Sequence, residues 1–150
     1  MECRLSGLCN YFGVLSNDRF KESRHDFTAN DTVVMIVNSL SLNSKEKFGH
    51  WVLWMKRGNK GWFFDSLGED VEHYFGSSVI RSLQCSLLSR QNKRIQGFSS
   101  HCGLYCLCFA LHMLTNDFNM QSFIDQFSGN LTRNDILVQQ LFQSMYRSCL

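Results

Sequence analysis

The segment Gln96-Gly97-Phe98-Ser99-Ser100-His101-Cys102-Gly103-Leu104-Tyr105-Cys106 places a glutamine six residues before a Cys-Gly pair. An apolar run able to form a helix begins directly after it. A cysteine at a helix N-terminus lies in the positive end of the helix dipole, which favours thiolate over thiol. A carboxamide just upstream can offer a side-chain N–H to an oxyanion, beside the backbone N–H of the cysteine itself. Gly103 leaves space for a substrate backbone. The chemistry described by these residue types is attack of sulfur on a carbonyl, which also requires an imidazole and a group to orient it.

Both lie upstream in one block. Gly49-His50-Trp51-Val52-Leu53-Trp54-Met55-Lys56 is a short aromatic and apolar stretch opened by a histidine. After Arg57-Gly58-Asn59-Lys60-Gly61 comes Trp62-Phe63-Phe64-Asp65-Ser66-Leu67-Gly68. Two strand-like runs around a Gly-containing turn predict a β-hairpin, with His50 starting the first strand and Asp65 ending the second. Antiparallel pairing brings those two ends to one edge of the sheet, within hydrogen-bonding range. Taken singly, His50 reads as a packed aromatic, Asp65 as a turn former and Gln96 as an exposed polar residue. Trp51 packs against the imidazole or belongs to the core. The joint order His50, Asp65, Gln96, Cys102 is what lifts the set.

The supporting elements follow from patterning. The central helix runs from Cys102 to about Leu114 and is apolar nearly all round, as a buried helix must be. Cys106 and Cys108 fall inside it as inert thiols. Amphipathic helices follow at about 119–127 and 133–148. Thr32–Asn38 is a continuous apolar run, either a buried strand or part of a core helix. Residues 1–12 predict a short helix or turn leading into Tyr11–Leu15, residues 16–31 a polar loop, and 39–48 a further loop. Acidic residues open a helical segment at 69–75, and helix resumes across Ser78–Leu88. A polar break at 89–93 precedes a short strand at Arg94–Gln96.

At 150 residues the chain suits a single domain over 1–150. Its 44% hydrophobic and 19% charged content excludes a disordered chain, and a net charge of +2 does not announce a nucleic-acid protein. Lys45, Lys47, Lys56, Arg57, Lys60, Arg90, Lys93 and Arg94 form either solvated loop charges or a shallow basic patch able to meet DNA. Seven cysteines, an odd number, and no apolar leader in Met1–Ser6 point to reduced thiols and a cytosolic or nuclear setting. No apolar stretch approaches a membrane span. His101, Cys102, Cys106, Cys108 and His112 crowd together, yet their spacing does not converge four ligands, so no zinc site is expected.

At these residues the chain resembles the adenovirus-type endopeptidases, the adenain group of the clan that also holds the SUMO-specific proteases. The similar stretches are Tyr11–Gly13 through Asp18–Phe20, Ile36–Asn38, His50-Trp51, Phe64–Gly68 and Gln96–Cys106. The resemblance implies Cys102 as nucleophile, His50 as its base, Asp65 as third member and Gln96 in the oxyanion hole. It implies an α+β fold, a small mixed β-sheet flanked by helices with a central buried helix carrying the cysteine. It further implies a monomeric viral or virus-like cysteine endopeptidase, in the host nucleus or cytoplasm and in the virion. Such an enzyme cleaves precursor proteins at Gly-Gly or Gly-x-Gly sites. No cofactor serves the chemistry. An activating viral peptide, disulfide-linked through Cys85, and DNA are the implied regulators. The sequence departs from the adenovirus pattern in having Asp rather than Glu as third member, and in being shorter between Asp65 and Gln96. Two other functions remain open: a deconjugase of ubiquitin-like tails in the same clan, and a non-catalytic DNA-binding virion protein.

Overall fold

The computed structural model describes residues 7–46, 48–83, 85 and 87–148. Expectations for residues 1–6 and for Lys47 therefore lie outside the described residues. Five strands form one sheet in the order β1-β2-β3-β4-β5: β1 (Tyr11–Leu15), β2 (Thr32–Asn38), β3 (Trp51–Arg57), β4 (Lys60–Phe64) and β5 (Leu87–Arg90). The two outer pairings are parallel and the two inner ones antiparallel, so the sheet is mixed.

Thr32–Asn38 is a strand because both faces of the sheet are covered, a setting in which strands lose polar alternation. Val33, Met35 and Val37 face one buried cluster with Phe20, Phe27, Trp54 and Phe63. Val34 and Ile36 face the other, with Leu53, Met55, Phe64 and Phe109. A one-residue slip of register would exchange these sets, so the two cores together fix the pairing.

The segment expected as a polar loop at 16–31 is instead a helix, α1 (Asn17–Ala29). Its polar composition hides a narrow buried stripe, Phe20 and Phe27, two helical turns apart. Phe20 stacks on Trp54 at 5.8 Å and Phe27 meets the same indole edge-on at 6.3 Å. Parallel pairing of β1 with β2 demands a crossover connection, and α1 is that crossover.

Beyond the hairpin the chain forms two short helices, α2 (Val71–Tyr74) and α3 (Ser77–Ser82). The helix expected across Ser78–Leu88 ends at Ser82, and β5 then pairs in parallel with β4 from Leu87 to Arg90. The strand expected at Arg94–Gln96 is not formed. There the backbone is irregular, and the N–H groups of Ile95 and Gln96 both donate to the Ser66 carbonyl at 2.9 and 3.0 Å. Edge pairing thus takes residues from what reads as a polar break and leaves Arg94–Gln96 to a loop.

The central helix, α4 (Cys102–Thr115), buries Tyr105, Cys106, Phe109, Ala110 and Met113. Phe64 and Phe109 stack with centroids 4.3 Å apart, locking the helix to the hairpin. Helices α5 (Met120–Ile124) and α6 (Leu131–Arg147) cover its outer side, each started by an asparagine whose side chain accepts a backbone N–H. The architecture is α+β, a small mixed sheet flanked by helices with the cysteine at the head of the buried one.

The turn after β4 has one demanding position. Gly68 has φ +76°, and a Cβ there would fall 2.7 Å from the Arg94 N and 2.9 Å from the Asn92 carbonyl oxygen. Gly68→Ala is expected to cost about 1–3 kcal/mol, read as a lower denaturation midpoint with unchanged slope; wild-type stability would contradict this account of the turn.

Candidate active site

The hairpin sets the first two positions. β3 and β4 pair from Leu53 opposite Phe64 to Arg57 opposite Lys60. His50 directly precedes β3 and Asp65 directly follows β4, so both emerge at one edge, each a single residue outside its strand. His50 Nε2 lies 2.5 Å from Asp65 Oδ1. The backbone of His50 is held in turn by Ser39, whose N–H donates to the His50 carbonyl and whose Oγ accepts the His50 N–H.

Asp65 is wholly buried. Its Oδ1 also accepts the Leu67 N–H at 2.9 Å, and its Oδ2 accepts the Glu69 N–H at 3.1 Å and the Tyr74 hydroxyl at 2.7 Å. Burial alone would push this carboxyl up. The donors and the neighbouring imidazolium outweigh burial and hold it below the usual carboxylate range. Tyr74, which the sequence reading did not single out, also sets its ring 5.8 Å from that of His50. The same carboxylate and its own burial keep the Tyr74 phenol protonated to strongly alkaline pH.

Cys102 opens α4 and is nearly buried. Desolvation favours the neutral thiol, but hydrogen bonding to His50, the backbone groups of Trp51 and Gly103, and the imidazolium charge win, so its pKa falls below the ordinary thiol value. His50 shows the complementary balance. Burial favours the neutral ring, whereas hydrogen bonds and charge from Asp65 and Cys102 raise its pKa to about 9. With Nε2 committed to Asp65, Nδ1 is the ring nitrogen left for the thiol. Both shifts favour the same charged pair, a thiolate beside an imidazolium.

Gln96 is buried beside them. Its Oε1 accepts the Ser66 hydroxyl at 2.5 Å and one Nε2 hydrogen goes to the Ser99 carbonyl at 2.7 Å. A carboxamide has a second N–H, which remains for a substrate oxygen. The loop carrying Gln96 is tied to α6. Asp135 Oδ1 accepts the Gly97 N–H at 3.1 Å and the Tyr105 hydroxyl at 2.9 Å, and Asn134 Nδ2 donates to the Ile95 carbonyl at 3.0 Å. Ser66, Asn134 and Asp135 escaped sequence reasoning, because a polar residue on an amphipathic helix or turn carries no local sign of the partner it will meet. His50, Gln96 and Cys102 line a cleft of about 660 Å³, with Phe48 and Phe98 fully or almost fully exposed at its rim, while Asp65 is buried and forms no part of its wall.

The other expected residues lie elsewhere. Cys85 is half-buried against the second core, away from the cleft, where burial raises its pKa. Cys106 and Cys108 are buried thiols with pKa values raised by burial, that of Cys108 to about 12. Among the cations, Lys56 Nζ donates to the Thr28 carbonyl, Arg57 pairs with Asp117 and Arg90 with Glu72. Lys93 Nζ donates to the Phe127 carbonyl and Arg94 Nε to that of Gln96. Among the described residues no group of three or more His, Cys, Asp or Glu side chains converges as metal ligands. Compared with protein-family models and with curated proteins, the chain matches none.

Three outcomes follow from these balances. Iodoacetamide should modify Cys102 ahead of Cys85, Cys106 and Cys108, with a pH profile displaced below the ordinary thiol value of about 8.5; a mapped profile centred on 8.5 would contradict the ion pair. Because the raised His50 pKa stabilises the fold only while the ring is protonated, that contribution is complete below about 6.5 and is lost as pH rises through about 9. Tyr74→Phe removes one donor to a buried anion. It is expected to lower stability by about 1.5–3 kcal/mol and to move the Cys102 alkylation profile upward; an unmoved profile would leave Tyr74 a purely structural residue.

Proposed function

We propose that the protein is a cysteine endopeptidase acting on polypeptides at Gly-containing sites. The observation that carries this reading is the relay in which buried Asp65 holds His50 protonated and His50 holds Cys102 ionised, with a spare Gln96 N–H at the same cleft. In the first step Cys102 Sγ attacks the scissile carbonyl carbon. The developing oxyanion takes hydrogen bonds from Gln96 Nε2 and the Cys102 backbone N–H. The C–N bond then breaks as the His50 imidazolium passes its proton to the leaving amine. Neutral His50 next takes a proton from water, which attacks the thioester and releases the acid, restoring the ion pair. Asp65 stays ionised throughout; its role is orientation and charge.

The resemblance to adenain-group enzymes favours viral or virus-like precursor proteins as substrates, with Gly-Gly or Gly-x-Gly before the cut. Glycine before the scissile bond also suits a nucleophile that sits nearly buried at the floor of the cleft.

A peptide ending in Gly-Gly-aminocoumarin tests the reading. Wild-type protein is expected to release the fluorophore, Cys102→Ala to abolish release while keeping the wild-type melting temperature, and Gln96→Ala to lower kcat about 10²-fold with little change in KM. Equal turnover by wild type and Cys102→Ala would overturn the assignment. Reaction with an electrophile placed at the C-terminus of ubiquitin or SUMO would instead direct the same chemistry to deconjugation.

A further inference from the structure

One turn after β4 serves both halves of the proposed chemistry. Asp65 faces His50, and its chain neighbour Ser66 faces Gln96. The turn is closed by the Gly68 N–H, which donates to the Asp65 carbonyl at 3.0 Å. That leaves the Ser66 carbonyl outside the turn, where it accepts the N–H groups of Ile95 and Gln96. The Ser66 hydroxyl adds a third bond, to Gln96 Oε1. Ser66 is wholly buried and forms no part of the cleft wall, so what it touches is Gln96 and not a substrate.

The partners settle which way the carboxamide points. The Ser99 carbonyl can only accept, so the Gln96 amide nitrogen must face it, and the Ser66 hydroxyl must then donate to the amide oxygen. The backbone on either side is held independently of these bonds. Asp135 holds the Gly97 N–H, so tightly that a Cβ on Gly97 would fall 2.6 Å from Asp135 Oδ2, and Asn134 holds the Ile95 carbonyl. The Gln96 side chain has only its two amide bonds among the described residues. One hydrogen bond leaves an amide a pivot, whereas two fix its plane and with it the direction of the spare N–H. Without the Ser66 hydroxyl, Oε1 is an acceptor buried without a donor, a state that folded proteins avoid. The amide then swings on its remaining bond towards a donor in the cleft, and the spare N–H leaves the line of the oxyanion.

We propose that Ser66 is a positioning residue of the oxyanion hole, aiming the spare Gln96 N–H at the scissile carbonyl oxygen. The proposal rests on the peptidase reading and deepens it. It divides the turn into two separable tasks. Asp65 acts through His50 on the charge of Cys102. Ser66 acts through Gln96 on the oxyanion that develops as the sulfur attacks. Alkylation by iodoacetamide forms no oxyanion, so it reads the first task alone, while turnover reads both.

A cycle of four proteins tests this on the Gly-Gly-aminocoumarin peptide: wild type, Ser66→Ala, Gln96→Ala and the double variant. Ser66→Ala is expected to lower kcat about 10-fold or more, to keep KM, and to leave the pH profile of Cys102 alkylation in place. In the Gln96→Ala background the same substitution should change kcat by less than about twofold, because the group it aims is gone. Loss of folded enzyme would lower kcat by one factor in both backgrounds, so it does not imitate that contrast. Wild-type kcat in Ser66→Ala, an equal loss in both backgrounds, or a displaced alkylation profile would overturn the proposal, while turnover by wild type keeps the peptidase reading standing. Absence of turnover by wild type would sink the peptidase reading itself, and this one with it.

Discussion

A carboxylate with no contact with water keeps its charge only if its oxygens find donors. Asp65 finds four: His50 Nε2, the N–H groups of Leu67 and Glu69, and the Tyr74 hydroxyl. The rest of the site depends on that buried anion. It makes a largely buried imidazole basic, and the imidazolium in turn makes a nearly buried thiol acidic. Each of these groups alone would be driven neutral by burial. Together they are charged, since desolvation also strengthens the attraction among them. With Asp65 neutral, His50 would lose one of the two partners that raise its pKa, and the charge that helps to lower that of Cys102 would weaken in turn.

The fold serves that chain of charges by fixing distances. The hairpin fixes His50 against Asp65 through backbone pairing, and the stacked rings of Phe64 and Phe109 fix the cysteine helix against the hairpin. The loop that carries Gln96 has no regular structure, so side chains must hold it. Ser66 grips it from the turn after β4, while Asn134, Asp135 and Tyr105 grip it from the two packed helices. Covering both faces of the sheet supplies rigidity, because neither core can rearrange without disturbing the register of β2 and β3.

Much of this was legible in the residues, and the failures have a common cause. The hairpin and the central helix announce themselves through local periodicity and a short turn, signals that need no distant partner. Helix α1 does not, because only Phe20 and Phe27 of its 13 residues supply an apolar stripe, and Trp54, which receives them, lies far along the chain. Strand β5 is four residues made a strand by parallel pairing with β4, while Arg94–Gln96 is drawn off by the Ser66 carbonyl.

For the site the same division holds. The chain alone determined which atoms are available: a sulfur before a buried helix, a carboxamide six residues ahead of it, and an imidazole and a carboxylate at the two ends of one hairpin. Those are properties of residue type, spacing and local pairing. Tertiary structure alone decided whether the sulfur is charged, which nitrogen of His50 faces which partner, and how Gln96 is aimed. Protonation and orientation are set by desolvation and by donors arriving from Tyr74, Ser66 and the last helix. Such contacts exist only once segments far apart in the chain have packed together.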